Sequence, residues 1–193
     1  MSVLGIDQIT YAADDLPTCR TFFQDWGLAL QSESADELVF ECLNGCRVLV
    51  ASLAKPGLPP AMEEGPTLRE VVWGVQSNAD LDRYAAAIKD APGFIDAEVD
   101  GARRIGCIDP NGLAVRLQVT RKRDIEVDCG AMNTWSTKAR INQPAPIYER
   151  ATPIEVGHVV FFTNDVAATS AFYRDHFGFV SSDSYPNRGA FMR

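Results

Sequence analysis

Val156-Gly-His-Val-Val-Phe-Phe-Thr-Asn-Asp165, followed by Val166 through Phe179, decides the fold. It reads as a buried strand, a helix start at Asp165, an amphipathic helix and a closing Gly178. The same order opens the chain as Ile6-Asp-Gln-Ile-Thr-Tyr-Ala-Ala-Asp-Asp15, then Leu16 through Leu28. Asp15 matches Asp165, Phe22 matches Phe172 and Asp25 matches Asp175, while Gly27 matches Gly178 after a one-residue insertion. The copies differ at the third residue of each strand, where Gln8 stands against His158. An imidazole is a metal ligand; an amide is a poor one beside it.

Outward from these stretches the same order continues. Asp14 or Asp15 can cap the first helix, on which Cys19, Phe22, Phe23 and Trp26 recur at i, i+3, i+4, i+7 as a core-facing stripe. Leu28–Glu33, Glu37–Leu43 and Cys46–Leu53 are expected strands, the last two joined by Asn44-Gly45 as a type I′ hairpin. Residues 55–66 hold four prolines and two glycines and break regular structure. A second unit follows: a strand from Glu70 to Val75, a helix opened by Asn78 or Asp80 with Leu81, Tyr84, Ala85 and Ile88 on its stripe, then strands Phe94–Val99, Arg103–Ile108 and Leu113–Val119. Asp109-Pro-Asn-Gly112 is a β-turn. The class is α+β, built from paired βαβββ units that form a cupped mixed sheet. Residues 1–120 form one domain of two units (1–54 and 67–120), 121–153 form a linker, and 154–193 begin a second domain. In the third unit Thr169, Phe172, Tyr173 and His176 take the stripe positions, Phe179–Ser182 and Gly189–Arg193 begin strands, and Tyr185–Asn187 turns between them. The third unit is expected to be incomplete, with no fourth unit on this chain to cover Val159 through Phe162. It is expected to pair with another chain, to pack on the first domain, or to be disordered.

A formal net charge of −8 over 193 residues speaks against nucleic acid, whose phosphates need a concentrated basic face. Arg121-Lys122-Arg123 is one short cluster and reads as a solvated strand end. No apolar run approaches the ~18 residues of a membrane span, and the first residues lack a signal-peptide layout. The five cysteines (19, 42, 46, 107 and 129) are odd in number and lack C-x-x-C spacing, as expected of reduced thiols in the cytoplasm.

The unit, opening with a hydrophobic-Asp/Gly-His-hydrophobic strand and followed by Phe-Tyr/Phe-x-Asp-x-x-Gly, resembles the vicinal oxygen chelate superfamily. Residues 6–28, 156–179 and the Asp109-Pro-Asn-Gly-x₃-Arg116 hairpin carry the resemblance. It is closest to the two-domain extradiol ring-cleavage dioxygenases, truncated after the start of the third unit. The resemblance implies a structural first pair and a second pair holding Fe(II) or Mn(II), with a catechol-type aromatic substrate and O₂. In that family the third unit gives one histidine ligand, the place His158 occupies. The fourth gives a second histidine and a glutamate, and catalytic residues are then expected beyond Arg193. This chain alone is expected to be inactive, and the complete protein to be a cytoplasmic homo-oligomer without nucleic-acid or membrane partners.

Residues 1–120 are expected to bind no catalytic metal. Arg116 stands where metal-binding units carry a glutamate, Gln8 replaces the strand histidine, and Val72-Trp-Gly74 offers no ligand. Two other readings stay open. One is a metal-free binding module like bleomycin-resistance proteins, with Trp73, Arg116 and Gln118 on strands that can line the cup. The other is a glyoxalase- or epimerase-like metalloenzyme, disfavoured by Gln8 and Arg116. His176 reads as a helix-end ring, Cys107 as core filler and Tyr173 as packing.

Overall fold

The structure is a computed structural model that describes residues 3–127, 133–144, 147, 149–186 and 188–193; Cys129, Pro146 and Asn187 fall outside them. Two βαβββ units are present in chain order. The first comprises β1 (Gly5–Ala13), α1 (Leu16–Asp25), β2 (Ala29–Glu33), β3 (Glu37–Glu41) and β4 (Arg47–Ser52). The second comprises β5 (Thr67–Val75), α2 (Asn78–Ile88), β6 (Ile95–Val99), β7 (Ala102–Ile108) and β8 (Ala114–Val119). All eight strands form one mixed sheet in the order β2-β3-β4-β1-β5-β8-β7-β6. β1 runs parallel to β4 and β5 parallel to β8, while β1 and β5 pair antiparallel at the centre. Each opening strand therefore joins its own unit and the other unit, and this makes the sheet continuous.

Alternation along the strands sends one set of side chains to the helices and the other to the opposite face. Val48, Val50, Val115 and Leu117 belong to the apolar core, which α1 and α2 cover. Leu49, Ala51, Gln8, Thr10 and Arg116 line a single hollow on the far side. Seven of the eight strands contribute to that hollow, β2 alone excepted, so the sheet curls around it.

The helix starts follow the local chemistry. Asp15 and Asp165 each accept an N–H three residues on, from Thr18 and Ala168, both at 2.9 Å. For α2 the cap is Ser77, not Asn78 or Asp80. Its hydroxyl oxygen accepts from Asp80 N at 3.3 Å and its O–H is 2.7 Å from Asp80 Oδ2, a reciprocal pair like a capping box.

Three expectations are corrected. The stripe on α1 is not wholly core-facing: Phe22 and Trp26 are 60% and 62% exposed and stack on one another at 6.4 Å. The helix is rotated so that Leu16, Cys19 and Phe23 meet the sheet, with Phe23 lying 5.3 Å from Phe40. An apolar arc about 100° wide leaves the packing to choose which edge is buried. The hairpin at Asn44-Gly45 is real, but it is not type I′. Gly45 alone takes positive φ, +93°. Its N–H reaches Cys42 O at 3.0 Å, and Cys46 N–H bonds the Asn44 side chain at 3.0 Å. The loop is thus three residues long with glycine at its left-handed position.

The third correction concerns residues 154–163, which form no ladder and are not a buried strand. The segment enters along the β3–β4 turn, where Pro153 O and Ile154 O accept the N–H groups of Leu43 and Asn44, both at 3.1 Å. Beyond it lie α3 (Val166–Phe177), capped by Gly178 at φ +73°, and a two-stranded hairpin of β9 (Ser181–Tyr185) and β10 (Gly189–Met192). At the hairpin tip Arg188 N–H reaches Tyr185 O at 2.9 Å. In the first unit the opening strand is held between β4 and β5; here neither counterpart is present among the described residues.

The third unit docks on the helix side of the second. Thr169, Tyr173, Phe177 and Phe179 are buried. Tyr173 donates to Asp109 Oδ2 at 3.1 Å, Tyr84 donates to Phe177 O at 3.3 Å, and Phe179 meets Trp73 edge-on at 5.1 Å. Burial and the neighbouring Asp109 push the Tyr173 hydroxyl well above its ordinary pKa, so it is held as a donor.

Candidate functional site

Two places gather the chemistry: the hollow of the first two units and the exposed side of residues 156–163. In the hollow Gln8 stands on β1 in register with Arg47 and Val72, and Val72 in turn with Arg116. Arg104 occupies the middle, with its side chain 4% exposed. Its Nε donates to Gln118 Oε1 at 3.0 Å and its Nη2 to Gln8 Oε1 at 3.2 Å. Gln118 passes the network to Asp7 at 3.1 Å, and Asp7 also accepts from Thr120 Oγ1 and Arg121 N. Glu70 lies between two guanidiniums, 3.6 Å from Arg104 Nη1 and 3.4 Å from Arg116 Nε. The carbonyl oxygen of Gln8 is thus already engaged by a cation, and Arg104 and Arg116 place two fixed positive charges on the same floor.

Burial raises the Glu70 carboxyl above its usual range, against the pull of Arg116 and Arg104. Below the ordinary carboxylate range Glu70 is protonated in both folded and unfolded chains. As pH rises the unfolded chain ionises first and the folded one resists, so this group's contribution to stability is lost through its raised pKa. Glu70→Gln is therefore expected to flatten the fall in stability from acid to neutral pH; parallel curves for the two proteins in urea unfolding would contradict this.

Of the residues singled out from the sequence, Arg116 and Gln118 do face this side, whereas Trp73 points to the other face against Phe179. Sequence reasoning missed Arg104 and Glu70. The available signal was a charge inside an otherwise apolar strand, since such charges are almost never buried unpaired. The basic cluster is largely paired: Lys122 meets Glu155 at 3.2 Å and Arg123 meets Glu41 at 3.0 Å.

His158 lies elsewhere. Val159, Phe161 and Thr163 turn inward, while His158, Val160 and Phe162 are exposed, the last two at 82% and 87%. In the repeat these three correspond to Gln8, Thr10 and Ala12, of which Gln8 and Thr10 line the hollow of the first sheet. His176 is half-buried, with Nδ1 3.2 Å from Ala87 O. Cys42 and Cys46 are buried free thiols, and the neighbouring Cys46 thiol and burial push the Cys42 thiol up. Burial raises Cys107 to about 11. Among the described residues, no three His, Cys, Asp or Glu side chains come together to hold a metal. An imidazole suits Fe(II) or Mn(II), but one alone is too few to hold either firmly.

Comparison with known proteins bears on the same two places. Residues 155–193 match the model of the Glyoxalase/Bleomycin resistance protein/Dioxygenase superfamily. Across the whole chain the fold is similar to a Mn(II)-bound glyoxalase from Novosphingobium aromaticivorans, with a TM-score of 0.70 at 17% identity. The likeness is one of fold: a mixed α+β arrangement with a large mixed sheet, as in that glyoxalase. The alignment covers 100% of this chain and 58% of the glyoxalase. A catechol 2,3-dioxygenase aligns with a TM-score of 0.67 at 18% identity, over 100% of this chain and 63% of its own. BphC, a halotolerant catechol dioxygenase, aligns with a TM-score of 0.65 at 18% identity, over 94% of this chain and 57% of its own. The chain thus spans less than two thirds of the length of each of these three proteins. Among curated protein sequences none matches significantly. Among the described residues no helix is long and apolar enough to cross a membrane.

Proposed function

We propose that this chain belongs to an extradiol dioxygenase-like enzyme in which residues 1–120 are a metal-free companion and His158 is one ligand of the metal. The observation that carries the reading is the placement of His158. It stands on the exposed side of its segment, at the position where Gln8 turns into the first hollow. In the first sheet that position is taken by an amide bound to Arg104, with Arg116 and Glu70 filling the floor. A divalent ion there would face two guanidiniums and gain no imidazole.

Bound Fe(II) or Mn(II) would supply Lewis-acid and template chemistry for a catechol-type substrate and O₂. The chain's own contribution is narrower. His158 offers one ring nitrogen to the metal, and Val160 and Phe162 beside it give an apolar floor that keeps water from a small aromatic ring. Remaining ligands and acid-base groups come from outside these 193 residues, in a cytoplasmic homo-oligomer. The pure chain supplied with Fe(II), catechol and air is expected to form no ring-cleavage product. In a longer protein containing it, His158→Ala is expected to remove both bound metal and turnover. Ring cleavage by the isolated chain, or retained metal and activity in His158→Ala, would overturn the proposal.

A further inference from the structure

We propose that the hollow of the first two units binds an amphipathic monocarboxylate, its carboxylate against Arg104 and Arg116 and its apolar body against the apolar lining. The hollow measures about 300 Å³, at the small end of sites that take small molecules.

Its floor holds more donors than its own residues satisfy. Arg116 gives Nη1 to Cys107 O at 2.9 Å and turns Nε toward Glu70; among the described residues Nη2 meets no acceptor. Arg104 uses Nε and Nη2 on Gln118 and Gln8, and its Nη1 faces Glu70 at 3.6 Å, longer than a hydrogen bond. Arg104 Nη2 also reaches Asp100 Oδ2 at 3.4 Å, but that carboxylate is largely exposed, and the one buried carboxylate on the floor, Glu70, is shared by both guanidiniums. Guanidinium N–H groups that open on a hollow take charged acceptors strongly, and a planar carboxylate matches their geometry.

The rest of the lining is of the opposite character: Leu49 and Ala51 come from β4, Ile95 and Val99 from β6, and Leu58 from the proline-rich 56–59 segment. The charge sign at the rim narrows the ligand. Lys55 offsets Glu37 there, and the largely exposed Asp100, 3.4 Å from Arg104, opposes a second negative charge. One carboxylate with an apolar body is what floor, lining and rim admit together. Because the metal is assigned to His158, this inference stands or falls separately from that assignment.

Calorimetric titration of the 193-residue protein with benzoate, its neutral counterpart benzamide and inorganic phosphate tests it. Benzoate is expected to bind saturably at millimolar concentration or below, and the other two about tenfold or more weakly, as loss of a charged hydrogen-bonded pair implies. Arg116→Met is expected to weaken benzoate about tenfold. Glu70→Gln removes the rival anion without removing a donor, so it is expected to tighten benzoate and decides the matter if Arg116→Met does not fold. Benzamide or phosphate binding as well as benzoate, no saturable benzoate binding, or a Glu70→Gln variant with equal or weaker affinity would each overturn the proposal.

Discussion

Arg104→Met is expected to lower the unfolding free energy by about 3–5 kcal/mol, as removal of one partner from a buried charge network does. Methionine keeps much of the apolar stem but leaves Gln8 Oε1, Gln118 Oε1 and the Glu70 carboxylate without the cation that joins them. These groups come from β1, β8 and β5, so the guanidinium ties the two units together across the hollow. Adding Glu70→Gln to Arg104→Met is expected to recover part of the loss, because the second change removes a buried charge left with Arg116 as its one remaining cation. Urea unfolding of the two single variants and the double variant measures this. A loss of about 1 kcal/mol or less for Arg104→Met would show instead that the network behaves like a solvated surface pair.

Phe177→Ala is expected to cost about 3–5 kcal/mol, the usual range for emptying a buried phenylalanine site. The loss should fall on the docking of the third unit and not evenly on the molecule. Phe177 is 2% exposed, lies 6.1 Å from Tyr84 and 5.5 Å from Phe172, and its carbonyl accepts the Tyr84 hydroxyl. Phe177 adds to the same apolar core as Phe40, Val50 and Leu117, but α3 lies outside the eight-stranded ladder that holds those three in place. Local opening of α3 is therefore expected before global unfolding. Hydrogen exchange should show protection falling in α3 while β1 and β5 keep theirs. Unchanged protection in α3, or equal loss in the central strands, would contradict docking through Phe177.

The unit order was legible because each element carries its own short-range signal. Aspartates precede the helical runs, alternation marks the strands, and Gly178 closes α3 with the left-handed residue that position favours. What could not be read depends on contacts distant in sequence. The exposed Phe22 and Trp26 lie within a valid amphipathic arc, and only packing against Phe40 shows which edge is buried. Residues 156–163 have the composition of a strand, but a ladder needs a partner strand; Pro153 and Ile154 just before them meet the β3–β4 turn, and no described strand pairs with 156–163. Trp73 and Arg116 lie on paired strands yet face opposite sides, because β5 and β8 register sets Val72 beside Arg116 and Trp73 beside Leu117. Arg104 and Glu70 were visible only as charges in apolar runs. Their meeting across 34 residues requires the sheet to close first.

Titration of the intact 193-residue chain with Mn(II), read by paramagnetic broadening in side-chain and backbone NMR spectra and repeated on His158→Ala, tests the placement of the metal ligand most directly. Weak binding that broadens signals around His158, disappears in His158→Ala and leaves Gln8, Arg104 and Arg116 untouched is the predicted result. A stoichiometric micromolar site in the hollow, surviving the loss of His158, would contradict it.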